Sequence, residues 1–163
     1  MSVELRPTGE GDLDFVVALE AGPEAAPFVE AWPAGRHRAG LRDPDIAHLL
    51  LVDDGEPVGF VILAGLLDPN QCVELRRIVV ARPGQGLGRE ALTLVLDHAF
   101  GELDAHRVWL DVKPDNARAR HLYAALGFER EGTLRDALHT ADGYASLILM
   151  AKLAPAQPGS SKR

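Results

Sequence analysis

The sequence predicts an α/β (α+β) fold, with a mixed, mostly antiparallel central sheet of about six to seven strands flanked by helices. Three observations carry this reading. Three short apolar runs, His48 to Val52, Val58 to Leu66 and Cys72 to Val80, follow one another with only turns between them. That spacing is the mark of an antiparallel run. A stretch from Gly88 to Leu103 then places apolar residues at helical spacing ahead of a further strand. One more helix and two more strands follow, so the sheet is neither doubly wound nor wholly antiparallel.

From the N-terminus, Ser2 to Arg6 alternates and stops at Pro7, as a short strand does. Thr8 to Asp12 supplies capping groups for a helix over about Leu13 to Glu20, ended by Gly22 and Pro23. The segment Glu24 to Leu41 is broken by Pro27, Pro33 and Gly35, which predicts one or two short helices and an exposed aromatic. Trp32 in this segment suits either the core, where tryptophan usually sits, or one wall of a substrate cleft. Asp54-Gly55 is a hairpin turn between the first two apolar runs. Asp68-Pro69-Asn70 is the next turn.

The strand from Cys72 to Val80 changes phase. Val73 and Leu75 are apolar at odd positions; beyond Arg76 and Arg77, Ile78 and Val80 are apolar at even ones. A β-bulge produces such a slip. Burial of both faces is the other explanation, since Val79 is apolar too.

In the helix that follows, Leu92, Val95, Leu96, Ala99, Phe100 and Leu103 form a core-facing stripe. His106 to Val112 is a strand that Lys113-Pro114 ends. Asp115 or Asn116 caps a helix over about Ala117 to Leu126, and Gly127 closes it. Phe128 to Thr133 and Tyr144 to Leu153 are the last strands, joined by a loop from Arg135 to Gly143. Pro155 to Arg163 is rich in Pro, Gly and Ser and reads as a disordered tail, leaving residues 1–154 as a single domain.

Composition narrows the function classes. The 163 residues carry a formal net charge of −7, which argues against general affinity for nucleic acid. The single cysteine, Cys72, leaves no internal disulfide framework and fits a reducing compartment. No apolar run is long enough for a bilayer. The first residues lack the basic-then-apolar order of a signal peptide. A cytoplasmic protein without a membrane or nucleic-acid partner is expected. No cluster has metal-ligand spacing, so no metal is expected.

The chemistry concentrates between Val73 and Phe100, where a strand, a glycine-rich turn and a helix follow one another. Gly84, Gly86 and Gly88 alternate with Gln85 and Leu87. Glycine bends tightly and lets a ligand approach the backbone. The first turn of the helix leaves N–H groups without internal partners, at the positive end of the helix dipole. Such a corner accepts a phosphate or pyrophosphate. A Walker loop is excluded, because Arg89 and Glu90 stand where Lys and Ser/Thr are needed. A dinucleotide turn remains, with Gly86, Gly88 and Ala91 as its fingerprint and Asp111 as its ribose contact. It conflicts with the late start of the unit in the chain.

From Val73 to Phe128 the chain resembles the GNAT superfamily of acetyl-CoA-dependent N-acetyltransferases. The resemblance rests on the strand ending IVV, the turn GQGLGREAL and the segment NARARHLYAALGF, in that order. The stretch AFGELDAHRVWLDVKPDNARA, with EGTLRDA after it, is most similar to the branch of ribosomal-protein N-terminal alanine and serine acetyltransferases. Pro83 departs from the family's Gln or Arg at that position; Arg82 lies beside it.

The resemblance implies a GNAT-like sheet and acetyl-CoA as cosubstrate. Its pantetheine arm would lie along Ile78, Val79 and Val80 as an added strand, with backbone N–H near Val79 stabilising the charge that develops on the thioester oxygen. Its pyrophosphate would sit on the N–H groups of Gln85, Gly86, Leu87, Gly88 and Arg89. Asn116 would contact the cofactor arm, and Tyr123 would protonate the departing thiolate. Glu74 is the candidate base that takes the proton of the amine. Each has a plainer alternative: Ile78 to Val80 as strand core, Asn116 as a helix cap, Tyr123 as a core aromatic, Glu74 as the partner of Arg76. Arg89, Arg118 and Arg120 suit either phosphates or a solvated helix face. The implied partner is an amine acceptor, a peptide N-terminus or a small molecule; a homodimer stays open. A non-catalytic acyl-CoA sensor on the same fold is the other reading.

Overall fold

The computed structural model describes residues 3–156, so the expected tail lies outside it beyond Ala156, as does the first residue of the expected opening strand, Ser2. Seven strands form one sheet in the order β1-β2-β3-β4-β5-β7-β6. These are β1 (Val3–Pro7), β2 (Ile46–Asp53), β3 (Glu56–Ala64), β4 (Cys72–Val80), β5 (Arg107–Val112), β6 (Glu129–Thr140) and β7 (Gly143–Leu153). Every neighbouring pair is antiparallel except β4 and β5. The helices are α1 (Leu13–Glu20), α2 (Ala34–Arg42), α3 (Leu87–Asp97) and α4 (Ala117–Ala125). This is the mixed sheet that the strand order predicts, and its single parallel pair leaves no doubly wound unit for a dinucleotide.

The two faces of the sheet carry different cores. Val73, Leu75, Val108 and Leu110 pack with Leu92 and Val95 of α3 and with Tyr123 of α4. On the other face Leu50, Phe60, Ile62 and Val79 pack with Val16 of α1, and Trp32 leans on them from the segment before α2. Alternation along each strand sends one set to each face.

The phase slip in β4 is a bulge. Leu63 stands opposite Leu75 and Ile62 opposite Arg77, so Arg76 is the extra residue. Val73 and Leu75 therefore share the α3 face with Ile78 and Val80, while Val79 turns to the α1 face.

Two expectations change. The stretch Arg135 to Gly143 is not a loop: β6 runs on to Thr140 and a tight turn leads into β7 at Gly143. The strand was hidden because β6 is an exposed edge with no buried residue to set an alternation, and because its pairing is irregular between Leu134 and Leu138. The long helix begins one residue earlier than expected, at Leu87, and closes with a π-helical turn over His98–Glu102, where the Leu103 amide bonds to the carbonyl of His98. The exposed aromatic expected in the segment before α2 is Phe28, and Trp32 is half-buried against the core.

Gly59 shows how closely β3 and β4 approach. A Cβ there would lie 2.5 Å from the Val79 carbonyl oxygen and 2.9 Å from Cδ1 of Leu51. Overpacking of this kind costs about 1–3 kcal/mol. Gly59→Ala should lower the denaturant midpoint accordingly, and an unchanged midpoint would show that the two strands are not so tightly held.

Candidate active site

β4 and β5 pair over only three positions: Cys72 with Arg107, Val73 with Val108 and Glu74 with Trp109. Beyond these β4 continues to Val80 and β5 to Val112, unpaired with each other. The bulge at Arg76 lies just past the last pair, so the strands part into a wedge in the middle of the sheet. A wedge between paired strands exposes two edges of backbone donors and acceptors, which a ligand of extended shape can satisfy.

The pairing also says which groups those are. The Ala81 amide donates to the carbonyl of Val58, and Val79 lies opposite Phe60. In an antiparallel pair the backbone groups of alternate residues face the partner. Val79 thus turns its N–H and C=O toward β3, in line with the Val79 oxygen that a Cβ on Gly59 would meet. Ile78 and Val80 turn theirs toward the wedge. Near Val79, the N–H groups that face the wedge are therefore those of Ile78 and Val80.

The mouth of the wedge leads to the glycine turn. Gly84 and Gly86 have φ of +82° and +79°, a region that side chains with a Cβ rarely adopt. Gly86 is the N-cap of α3, and among the described residues no side chain caps the helix. The first intrahelical bond runs from the Glu90 amide to the Gly86 carbonyl, so the amides of Leu87, Gly88 and Arg89 precede the ladder. α4 packs against this corner. A Cβ on Gly84 would lie 3.8 Å from an Arg118 guanidinium nitrogen, and one on Gly88 would lie 3.6 Å from Leu122. Unpaired amides, a helix dipole and a guanidinium converge there, which fits a diphosphate.

α4 begins at Asn116, whose Oδ1 accepts from the Ala119 amide at 3.3 Å. The helix-cap role is therefore present, and the side-chain NH2 has no hydrogen-bond partner among the described residues. Tyr123, two turns on, is 9% exposed and packs on Phe128 with ring centroids 5.6 Å apart. Its hydroxyl has no hydrogen-bond partner among the described residues. Nor is it a sealed, orphaned atom. Burial, then the Asp111 carboxylate, push its pKa up to about 12.

On the opposite face of the wedge the carboxylates differ. Glu74 Oε1 accepts from Nε of Arg76 at 3.2 Å and from its Nη2 at 2.9 Å, so the ion pair with Arg76 exists. Asp111 near the end of β5 carries no such partner among the described residues. Burial of its surroundings and the Glu74 charge raise its pKa, against the pull of Arg76. Sequence reasoning assigned Asp111 only to a ribose. The signal it missed is position: Asp111 alternates with the buried Leu110 and Val112 and so faces the open side of the strand.

The segment between α1 and α2 arches over this side. Nη1 of Arg77 on β4 donates to the Glu30 carbonyl, and Nζ of Lys113, just past β5, donates to the Pro27 carbonyl. One segment thus bridges both strands of the wedge, which makes it a wall of the cleft. No group of three or more His, Cys, Asp or Glu side chains converges as a metal site among the described residues.

Comparison with known proteins gives this geometry its family. Residues 15–128 match the model of the Acetyltransferase (GNAT) family. The chain is 29% identical over 157 residues to the spermidine N(1)-acetyltransferase of Escherichia coli K12, covering 91% of this chain and 84% of that one. It is 40% identical over 104 residues to the ribosomal protein bS18-alanine N-acetyltransferase of the same strain, covering 62% and 67%. In fold it is similar to the spermidine N-acetyltransferase of Vibrio cholerae solved with CoA and spermine, with a TM-score of 0.84 at 24% identity over 93% of this chain and 95% of the other. With the parted strands, the bulge and the uncapped glycine turn in the order that the sequence resemblance requires, this chain belongs to the GNAT acetyltransferase family.

Proposed function

We propose that this protein transfers the acetyl group of acetyl-CoA to a primary amine by direct attack. The observation that carries the reading is the continuity of the wedge with the uncapped end of α3: the backbone of Ile78 and Val80 opens toward it, and the amides of Leu87 to Arg89 wait at its mouth. These groups match an extended pantetheine arm ending in a diphosphate. The Asn116 amide group and Arg118 supply further contacts from α4.

The amine enters from the face that the segment between α1 and α2 covers. It attacks only when neutral, so a base must take its proton. Asp111 fits that role better than Glu74, which is held by Arg76. Its raised pKa brings it closer to that of the proton it accepts. A wedge-facing N–H of Ile78 or Val80 stabilises the charge on the thioester oxygen. Tyr123 stays protonated at neutral pH and stands ready to donate to the departing thiolate. The acceptor is a peptide N-terminus or a small amine such as a polyamine; the named activities of the relatives cover both. A non-catalytic sensor would bind acetyl-CoA without releasing thiol, so thiol release across a panel of N-terminal peptides and polyamines is the test.

Tyr123→Phe should lower kcat by about 10²–10⁴-fold with the Kd for acetyl-CoA, measured by calorimetry, unchanged; an unchanged kcat removes Tyr123 as the acid. Asp111→Asn should slow turnover most near pH 7. Wild-type turnover rises with pH as Asp111 ionises through its raised pKa, and the variant should rise only as the free amine deprotonates. If Glu74→Gln loses more than Asp111→Asn, the base is Glu74. Gly86→Val places a branched side chain at positive φ and should weaken acetyl-CoA binding at least about tenfold, since such strain costs about 1–3 kcal/mol; equal affinity would place the diphosphate elsewhere.

A further inference from the structure

Beneath the cleft wall lies a chain of buried polar side chains that the reaction does not use. Glu20, the last residue of α1, and His37 of α2 are fully buried. His37 Nε2 lies 2.9 Å from Glu20 Oε1, His37 Nδ1 lies 3.0 Å from His48 Nε2, and His48 Nδ1 lies 2.8 Å from the Thr8 hydroxyl. Glu20 Oε1 also accepts from the Trp32 amide at 2.7 Å, and its Oε2 accepts from Arg77 Nη1 at 2.9 Å. The guanidiniums of Arg36 and Arg77 lie over the Trp32 ring, 3.7 and 4.3 Å from its centroid.

The hydrogen bonds in this chain can all be made at once. Burial would push the Glu20 pKa up, but the bonds from His37 and the Trp32 amide and the charge of Arg77 hold it below the usual carboxylate range. Burial, with His37 beside it, pushes His48 down to about 4, so its ring is neutral. Arg77 already balances Glu20. With His48 neutral, the run closes in either of two ways: the Thr8 hydroxyl donates to His48 Nδ1 and His48 Nε2–H to His37, or His48 Nδ1–H donates to Thr8 and His37 Nδ1–H to His48; in both, His37 Nε2–H donates to Glu20. Each member is satisfied, which a buried network requires if it is not to destabilise the fold.

Glu20 is the junction. One oxygen holds the wall, through Trp32 and His37; the other holds Arg77, the residue next to the bulge that opens the wedge. Nη1 of Arg77 in turn bonds to the wall at Glu30. We propose that Glu20 and Arg77, backed by His37 and His48, form the positioning device of the acceptor site, fixing the wall from Gly22 to Trp32 at a set height above the bulged strand. This rests on the acyl-transfer reading for its consequence but not for its geometry. The device touches the wall and not the glycine turn, so it governs the amine and leaves acetyl-CoA alone.

Glu20→Gln keeps the shape of the side chain and removes the charge facing Arg77; Arg77→Gln removes the other half from a less buried position. Each should raise the KM for the amine at least tenfold while the Kd for acetyl-CoA stays within twofold, and the double variant should lose little more than either alone. Arg77→Lys, which keeps the charge, should recover part of the loss. Amide hydrogen exchange of residues 22–32 should quicken at least tenfold in both Gln variants, and this readout needs no turnover. Unchanged amine KM, or equal losses for amine and acetyl-CoA, would overturn the proposal. Should Glu20→Gln fail to fold, Arg77→Gln carries the same test. Should the wild type release no thiol with any amine, the acyl-transfer reading fails, and unchanged exchange in Arg77→Gln would then overturn the clamp separately.

Discussion

The parting of β4 from β5 is the constraint on which the rest of the molecule depends. Two parallel strands in mid-sheet would ordinarily satisfy each other's backbone groups along their length. Here the ladder stops after three pairs, and the residue that stops it, Arg76, is an inserted one. The separation is held from both faces. α3 and α4 pack on one side through Leu92, Val95 and Tyr123; α1 and the wall press on the other. Backbone groups left unpaired inside a protein are costly, so the fold carries an opening whose edges a ligand of extended shape can complete. That reverses the usual relation between core and site: the site lies in the centre of the sheet and the elements around it hold it open.

The helices on the two faces divide the work. α3 brings unpaired amides to the mouth of the wedge, and α4 brings Asn116, Arg118 and Tyr123 along one side of it. α1 and α2 carry the wall and the buried chain beneath it. The closure of α4 shows the same economy. Gly127 turns at φ +99°, and Lys152 from β7 donates to the Leu126 carbonyl at 2.8 Å, tying the end of the helix to the sheet beside β5. The position of Tyr123 is therefore set by its own strand neighbours as well as by its helix.

Much of this was legible in the sequence because local chemistry agreed with the fold. The slip from Val73 and Leu75 to Ile78 and Val80 marked the bulge, and the spaced glycines before Leu87 marked the open helix end. What stayed hidden was long-range. Glu20, His37 and His48 are far apart in the chain, with no motif or spacing among them, and become one network only when α1, α2 and β2 pack together. Asp111 read from the sequence only as a ribose contact, because nothing local shows that the sheet opens beside it. β6 gave no alternation because no face of it is buried. Patterns that record burial or backbone geometry survive in sequence; contacts between distant polar side chains do not.

A crystal structure with coenzyme A bound tests the central claim most directly. The diphosphate should lie on the amides between Gln85 and Arg89, with the pantetheine arm running between the parted strands and paired to Ile78 and Val80. A ligand seated elsewhere, with that corner filled by packed side chains and β4 rejoined to β5, would contradict it.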